Sequence, residues 1–183
     1  MTATASPYEE HLDYIRESPR ESGELKLIVV RPKENQRTVL ESCLLSLAGG
    51  ADGDNWADGC WKSLDDGSPH PDVQLAIMNT RVLESIEPSS DRWPLAGDTL
   101  YTDYCLDTEH LQPGDRLAIG ECIVEITEVP HLGCGKFKDR YGKDALRFVN
   151  SPVGKELRAR GVYARVVQDA VVNTGDRIAK VAS

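Results

Sequence analysis

Residues 113–129 read PGDRLAIGECIVEITEV. Two short strand-like runs, PGDRLAIG and ECIVEITEV, follow one another directly, and Gly114-Asp115 opens the first with a turn-forming dipeptide. The same texture extends in both directions, through AGDTLYTDY before it and GVYARVVQ and GDRIAKV after it. Gly-Asp recurs at 97–98, 114–115 and 175–176, as turn chemistry rather than as a repeat unit. Regular short strands with such turns point to a barrel or a sandwich. The fold expected is a mostly β, barrel-like domain with a few peripheral α-helices.

Upstream of residue 97 the pattern is more mixed. ELKLIVVR and DVQLAIM have the length and apolarity of strands, and NTRVLESI that of a short helix. Val39, Leu40, Cys43, Leu44 and Leu47 fall at helical spacing, which predicts a helix over 37–47. Residues 48–71 form a long loop rich in Gly, Asp and Trp, a kind that is usually functional or mobile. Ser6, Pro7 and Glu9 read as the capped start of a helix over 6–17, with Tyr8, Leu12 and Ile15 on one face. In the second half GKDALRFVN and SPVGKELRARG form one helical insertion, with Ser151, Pro152 and Gly161 as start and stop signals. Residues 1–22 are thus a helical appendage and linker, and 23–183 the barrel domain.

The chain has 183 residues and a net charge of -9, enough length to bury a substantial core. No apolar run approaches the ~20 residues needed to span a bilayer. The N-terminus lacks the basic leader and apolar region of a secretory signal, so the cytoplasm is the expected location. The five cysteines include no CxxC pair, which predicts free thiols and excludes a zinc site built on paired cysteines. Acidic balance argues against a nucleic-acid binder, which needs a basic footprint. The charge is nevertheless uneven: residues 131–165 hold nine Lys and Arg against three Asp and Glu.

Within that basic segment lies HLGCGKFKDRYG (131–142). Gly133 and Gly135 flank Cys134, allowing positive φ, close approach of a ligand and an anion-binding nest of backbone N–H groups. Cationic surroundings favour thiolate over thiol, and a thiolate ligates soft metals, carries sulfur or attacks electrophiles. The alternative is a small buried cysteine in a tight turn. His131 either orients the thiol and accepts its proton or makes one turn hydrogen bond. Lys136, Arg140 and Arg147 are either phosphate contacts or a solvated helical face. Arg158 and Arg160 flank a helix C-terminus, where cations are favoured in any case. Cys43, Cys105 and Cys122 lie in apolar stretches and are expected in the core; Cys60 lies in the long loop.

Three stretches, in order, resemble the MOSC domain family, named for the C-terminal domain of molybdenum cofactor sulfurase. They are GGADGDNW (49–56), LAGDTLYTDYCLDTEHLQPGDRLAIGECIVEITEVPHLGCGKF (95–137) and RGVYARVVQDAVVNTGDRI (160–178). Asn55 and Trp56 stand where the family often has Arg and His, and Gly133 where its reductases often have Pro. The resemblance implies a pseudo-barrel of the pyruvate-kinase-insert type that binds molybdenum cofactor. It places the family's cysteine at Cys134, as molybdenum ligand and reacting group, with Asp54, Asn55 and Trp56 on a facing loop. An anionic pterin phosphate would meet Lys136 and Arg140. The pyridoxal phosphate domain of the full sulfurase is not expected on this chain.

Three functions follow. One is a molybdenum-dependent oxidoreductase reducing N-hydroxylated or similar small substrates with electrons from a partner protein. Another is a sulfur carrier loaded at Cys134 by a cysteine desulfurase. The last is a non-enzymatic module for a small anionic ligand. None involves nucleic acid or a membrane.

Overall fold

The computed structural model describes residues 7–182. Strands β1 (Gly23–Val30), β2 (Thr38–Leu40), β3 (Ser42–Ser46), β4 (Gly50–Ala51), β5 (Leu75–Asn79) and β6 (Leu100–Thr102) come from the first part of the chain. They are followed by β7 (Arg116–Ile119), β8 (Cys122–Ile126), β9 (Val162–Gln168), β10 (Ala170–Asn173) and β11 (Arg177–Lys180). The α-helices are α1 (Leu12–Arg16), α2 (Trp56–Gly59), α3 (Thr80–Ile86), α4 (Gly135–Asn150) and α5 (Pro152–Glu156). Seven strands close into a barrel in the order β11-β7-β8-β9-β5-β6-β1, with β1 returning to β11 and β2 added on β1. Closure leaves few unpaired strand edges. The opening stretch forms the antiparallel pair β7–β8, in register from Arg116 opposite Glu125 to Ile119 opposite Cys122. Gly97, Gly114 and Gly175, the first residues of the three Gly-Asp pairs, all take the left-handed φ that such turns require.

Strand alternation divides the core in two. Ile28, Ile77 and Leu100 point into the barrel and meet Leu117, Val124 and Val166. Their neighbours Val29, Met78 and Tyr101 point outward and are buried by Ile15 of α1, Leu83 of α3, and Phe137 and Phe148 of α4. Buried on both faces, β5 has no exposed residue, which explains its uninterrupted apolar run. Among the described residues it also makes the one parallel pairing, with β6, and the connection between them carries α3 and a 3-10 turn.

The helix expected over 37–47 is not formed. Thr38–Leu40 and Ser42–Ser46 are strands, and β3 pairs with β10 from Cys43 opposite Val172 to Leu45 opposite Ala170. Cys43 and Leu45 are buried under this small sheet, while Val39, Leu44 and Leu47 face solvent. Apolar residues over so short a run satisfied the helical and the alternating period alike, and pairing with β10 decided between them.

At the N-terminus, the Ser6 cap lies outside the described residues. A 3-10 turn at Glu9–His11 leads into α1, and Tyr8, Leu12 and Ile15 pack together against the outer cluster. Ser151 caps α5 by accepting from Gly154 N, with Pro152 in its first turn. Cys43, Cys105 and Cys122 are buried. Among the described residues no helix is long and apolar enough to cross a membrane.

Candidate functional site

The rim near the N-terminus of α4 is assembled from segments far apart in sequence. Asp98, immediately after the Gly97 turn, is fully buried. Arg160 donates from Nη1 to Asp98 Oδ2 at 2.5 Å and from Nη2 to the Ala96 carbonyl at 2.9 Å. Its guanidinium also lies 5.0 Å from the centre of the Phe137 ring. His131 stacks on Tyr163, ring centres 4.2 Å apart, and its Nδ1 is 3.5 Å from Asp98 Oδ1 without a hydrogen bond. Asp98 Oδ1, His131 Nδ1 and Arg160 Nε are thus buried without hydrogen-bond partners. Burial pushes the Asp98 carboxyl up, against the pull of Arg160. Burial, helped by the charges of Arg160 and Arg31, pushes His131 well down, so the ring is held neutral.

Around this buried group lies a ring of cations. Arg31, just past β1, is held by Asp54, whose Oδ1 accepts from Arg31 N and Nε and whose Oδ2 accepts from Nη2 at 2.8 Å. Arg37 donates to the Pro94 carbonyl at 3.2 Å and Arg140 to the Leu95 carbonyl at 2.7 Å. The two meet at Gly97, where an added Cβ would lie 3.3 Å from Arg37 Nη2 and 3.5 Å from Arg140 Nη1. Among the described residues neither Arg37 nor Arg140 forms an ion pair with a carboxylate. Burial, then the charges of Arg140 and Arg31, push the Arg37 guanidinium down from its usual range. Lys136 reaches the same loop, pairing with Glu34 at 2.9 Å.

Cys134 precedes α4 and is exposed, so it is not the buried cysteine of a tight turn. Among the described residues no side-chain hydrogen bond engages its sulfur, and none joins it to His131. The expected positive φ at Gly133 and Gly135 is absent. Gly133 instead permits close packing: a Cβ there would lie 2.8 Å from both Leu146 and Val149, and Asn150 clasps its N–H and carbonyl. Gly135 is helical and faces open space, with no atom beyond its chain neighbours and its own helical turn within 4 Å of where a Cβ would stand.

Of the residues singled out in the sequence, Cys134 stands at the N-cap of α4, and Lys136 and Arg140 lie in its first segment, which breaks at Gly142. Asp54 reaches the rim through Arg31, and Asn55 N donates to the Arg31 carbonyl. Trp56 is buried and anchors the long loop by donating to the His70 carbonyl at 3.3 Å. Arg147 lies apart, exposed and, among the described residues, paired only with Asp144. Arg158 and Arg160 do not serve as solvated helix-end cations, since both guanidiniums bind groups on other segments.

Three site residues went unseen in the sequence, Arg31, Arg37 and Asp98, and Arg160 was read there only as a helix-end cation. Asp98 carried one usable signal, a Gly-Asp turn opening a buried strand. The arginines carried none, because each finds its partner across 23 to 62 residues of chain. Among the described residues no group of three or more His, Cys, Asp or Glu could hold a metal ion.

A family model of the MOSC domain matches residues 71–179. The chain belongs to the MOSC domain family. The matched span includes Asp98, His131, Cys134, Arg140 and Arg160, whereas Arg31, Arg37 and Asp54 precede it. Among solved structures the domain is similar to the YuaD protein from Bacillus subtilis, at 14% identity and TM-score 0.59, over 87% of this chain and 96% of that one. It is also similar to YiiM from Escherichia coli, at 17% identity and TM-score 0.57, over 87% of this chain and 70% of that one. YiiM from Geobacillus stearothermophilus gives 16% identity and TM-score 0.58, over 87% and 75%. At such identities the likeness is one of fold. No curated protein matches this chain.

Proposed function

We propose that the rim around Cys134 binds a molybdenum cofactor, the group with which the MOSC family is associated. One observation carries the reading: an exposed thiol stands at the N-cap of the helical segment that holds Arg140, which meets Arg37 at Gly97, and among the described residues neither arginine forms an ion pair. Two guanidiniums over a residue without a side chain form a cradle for an oxyanion such as the phosphate of an anionic pterin. Arg31 adds charge and Asp54 fixes its position. Cys134 offers a single thiolate ligand, which suits a metal that arrives with its own ligands better than one held by a protein cage.

When bound, the cofactor would supply a redox-active metal centre. The chain's own residues then have separate tasks. Gly135 leaves the approach to the sulfur clear. Gly133, packed on Leu146 and Val149, sets where the thiol stands. His131, kept neutral, adds no charge to a rim already rich in cations. Fed with electrons by a partner protein, such a site would reduce N-hydroxylated or similar small substrates.

The test is molybdenum content per chain after production in a host that makes the cofactor. Wild type is expected to retain the metal and Cys134→Ser to lose most of it; equal content in both overturns the reading. The exposure of Cys134 also favours a second reading, a sulfur carrier, because a macromolecular donor can reach the thiol. Added sulfur mass on the Cys134 peptide after incubation with a cysteine desulfurase supports it, and no added mass refutes it.

A further inference from the structure

A cavity of about 410 Å3 lies between the segment after β8 and helix α5. Pro130, Leu132, Val149 and Tyr163 give it apolar walls, and its charged groups include Lys155, Arg158 and Glu128. The volume falls within the range of small-molecule sites, which combine apolar walls with a few placed polar groups.

Its cations are unusual. Arg158 is partly buried, and burial pushes its guanidinium down. Nη1 donates to the carbonyls of Leu111 at 2.9 Å and Leu106 at 3.3 Å, and no carboxylate lies within ion-pair distance of it among the described residues. Its φ of 47° puts a non-glycine residue in the left-handed region, a strained state that clusters at ligand clamps. Lys155, three residues earlier, is exposed and also has no ion pair among the described residues. Glu128 is exposed and likewise has none. Arg160 also lines the space, but its charge is already taken by Asp98. Two cations without an ion pair, against one such carboxylate, leave the lining a single positive charge, which a monoanion would neutralise.

We propose that this cavity binds small organic monoanions, a carboxylate or sulfonate on a compact apolar body, with Lys155 and Arg158 at its anionic end. The inference goes beyond the reading at Cys134, because the thiol is not among the lining residues and no cofactor is required.

The test titrates anilinonaphthalene sulfonate, an aromatic monoanion, into the full-length protein without cofactor. One saturable site is expected, with quenching of Trp61, whose ring lies 6.3 Å from Tyr163. Lys155→Gln should weaken binding by about threefold to fivefold and Glu128→Gln should tighten it by about as much, the scale of an exposed charge pair. Both positions are exposed, and circular dichroism checks that each variant folds. The uncharged phenylnaphthylamine should bind more weakly than the sulfonate. Equal affinity for the two probes, or affinity indifferent to both substitutions, overturns the proposal. Because the protein carries no cofactor, that failure would leave the Cys134 reading standing.

Discussion

Gly97 and Asp98 are neighbours in the chain and belong to opposite kinds of electrostatic site. Asp98 turns inward, where Arg160 answers its charge in a setting closed to water. Gly97 faces the rim, where Arg37 and Arg140 converge and, among the described residues, neither forms an ion pair. Removing one partner of a buried pair leaves a charge in low dielectric, whereas removing one of two repelling surface cations relieves a strain. The inner group therefore belongs to the architecture, and the outer one is arranged for a visiting anion.

The largest effect should come from breaking the inner pair. Asp98→Asn keeps the shape but strands the Arg160 charge, and should lower stability by about 3–5 kcal/mol. Arg37→Ala, on the outer pair, should change stability by less than about 1 kcal/mol, since the repulsion it removes offsets the loss of two hydrogen bonds to the Pro94 and Gln36 carbonyls, the second an exposed one. Urea unfolding of both variants measures the contrast. Similar losses in the two would mean that the clusters do not differ in kind.

Acid should expose the inner group next. His131 has its folded-state pKa depressed, so its contribution is present above about pH 6.5 and lost as pH falls below it. In that window the unfolded chain takes up a proton that the folded chain refuses, and stability should fall by up to about 1.4 kcal/mol per pH unit. His110, also pushed down by burial, acts in the same direction. Asp98, pushed up, takes its proton earlier when folded and offsets part of the loss at lower pH. His131→Gln should flatten the slope of stability between pH 6.5 and 5. An unchanged slope would mean that His131 is not held neutral.

The barrel was legible where turns and strands were coded locally. Gly114-Asp115 and the runs around it became β7 and β8, and the Ser151-Pro152 start signal became the first turn of α5. The misreading at 37–47 arose because β3 takes its identity from β10, more than a hundred residues later, and no local period carries that information. The site divided in the same way. Cys134, with its flanking glycines and the lysine and arginine behind it, was visible as a cluster within one segment. Its electrostatic surroundings were not, because Arg31, Arg37, Asp98 and Arg160 reach the rim from four separate places. The positive φ expected at the two glycines is absent, and what the structure shows instead, close packing at Gly133 and openness at Gly135, is invisible without the neighbours that define it.

The smallest effect separates two arginines that looked alike in sequence. Arg140 and Arg147 lie seven residues apart in one basic segment, yet Gly142 breaks the helix between them. Arg140 turns to Leu95 and Gly97, while Arg147 stays in solvent beside Asp144. Arg147→Ala should change stability by less than about 0.5 kcal/mol, as is usual for an exposed side chain. It should also leave the affinity for inorganic phosphate, followed by NMR titration, unaltered. Arg140→Ala should weaken phosphate by about fivefold or more, because half of the guanidinium cradle is gone. If the two variants lose phosphate equally, the attraction comes from the diffuse charge of the segment, and the geometry at Gly97 has no special part in it.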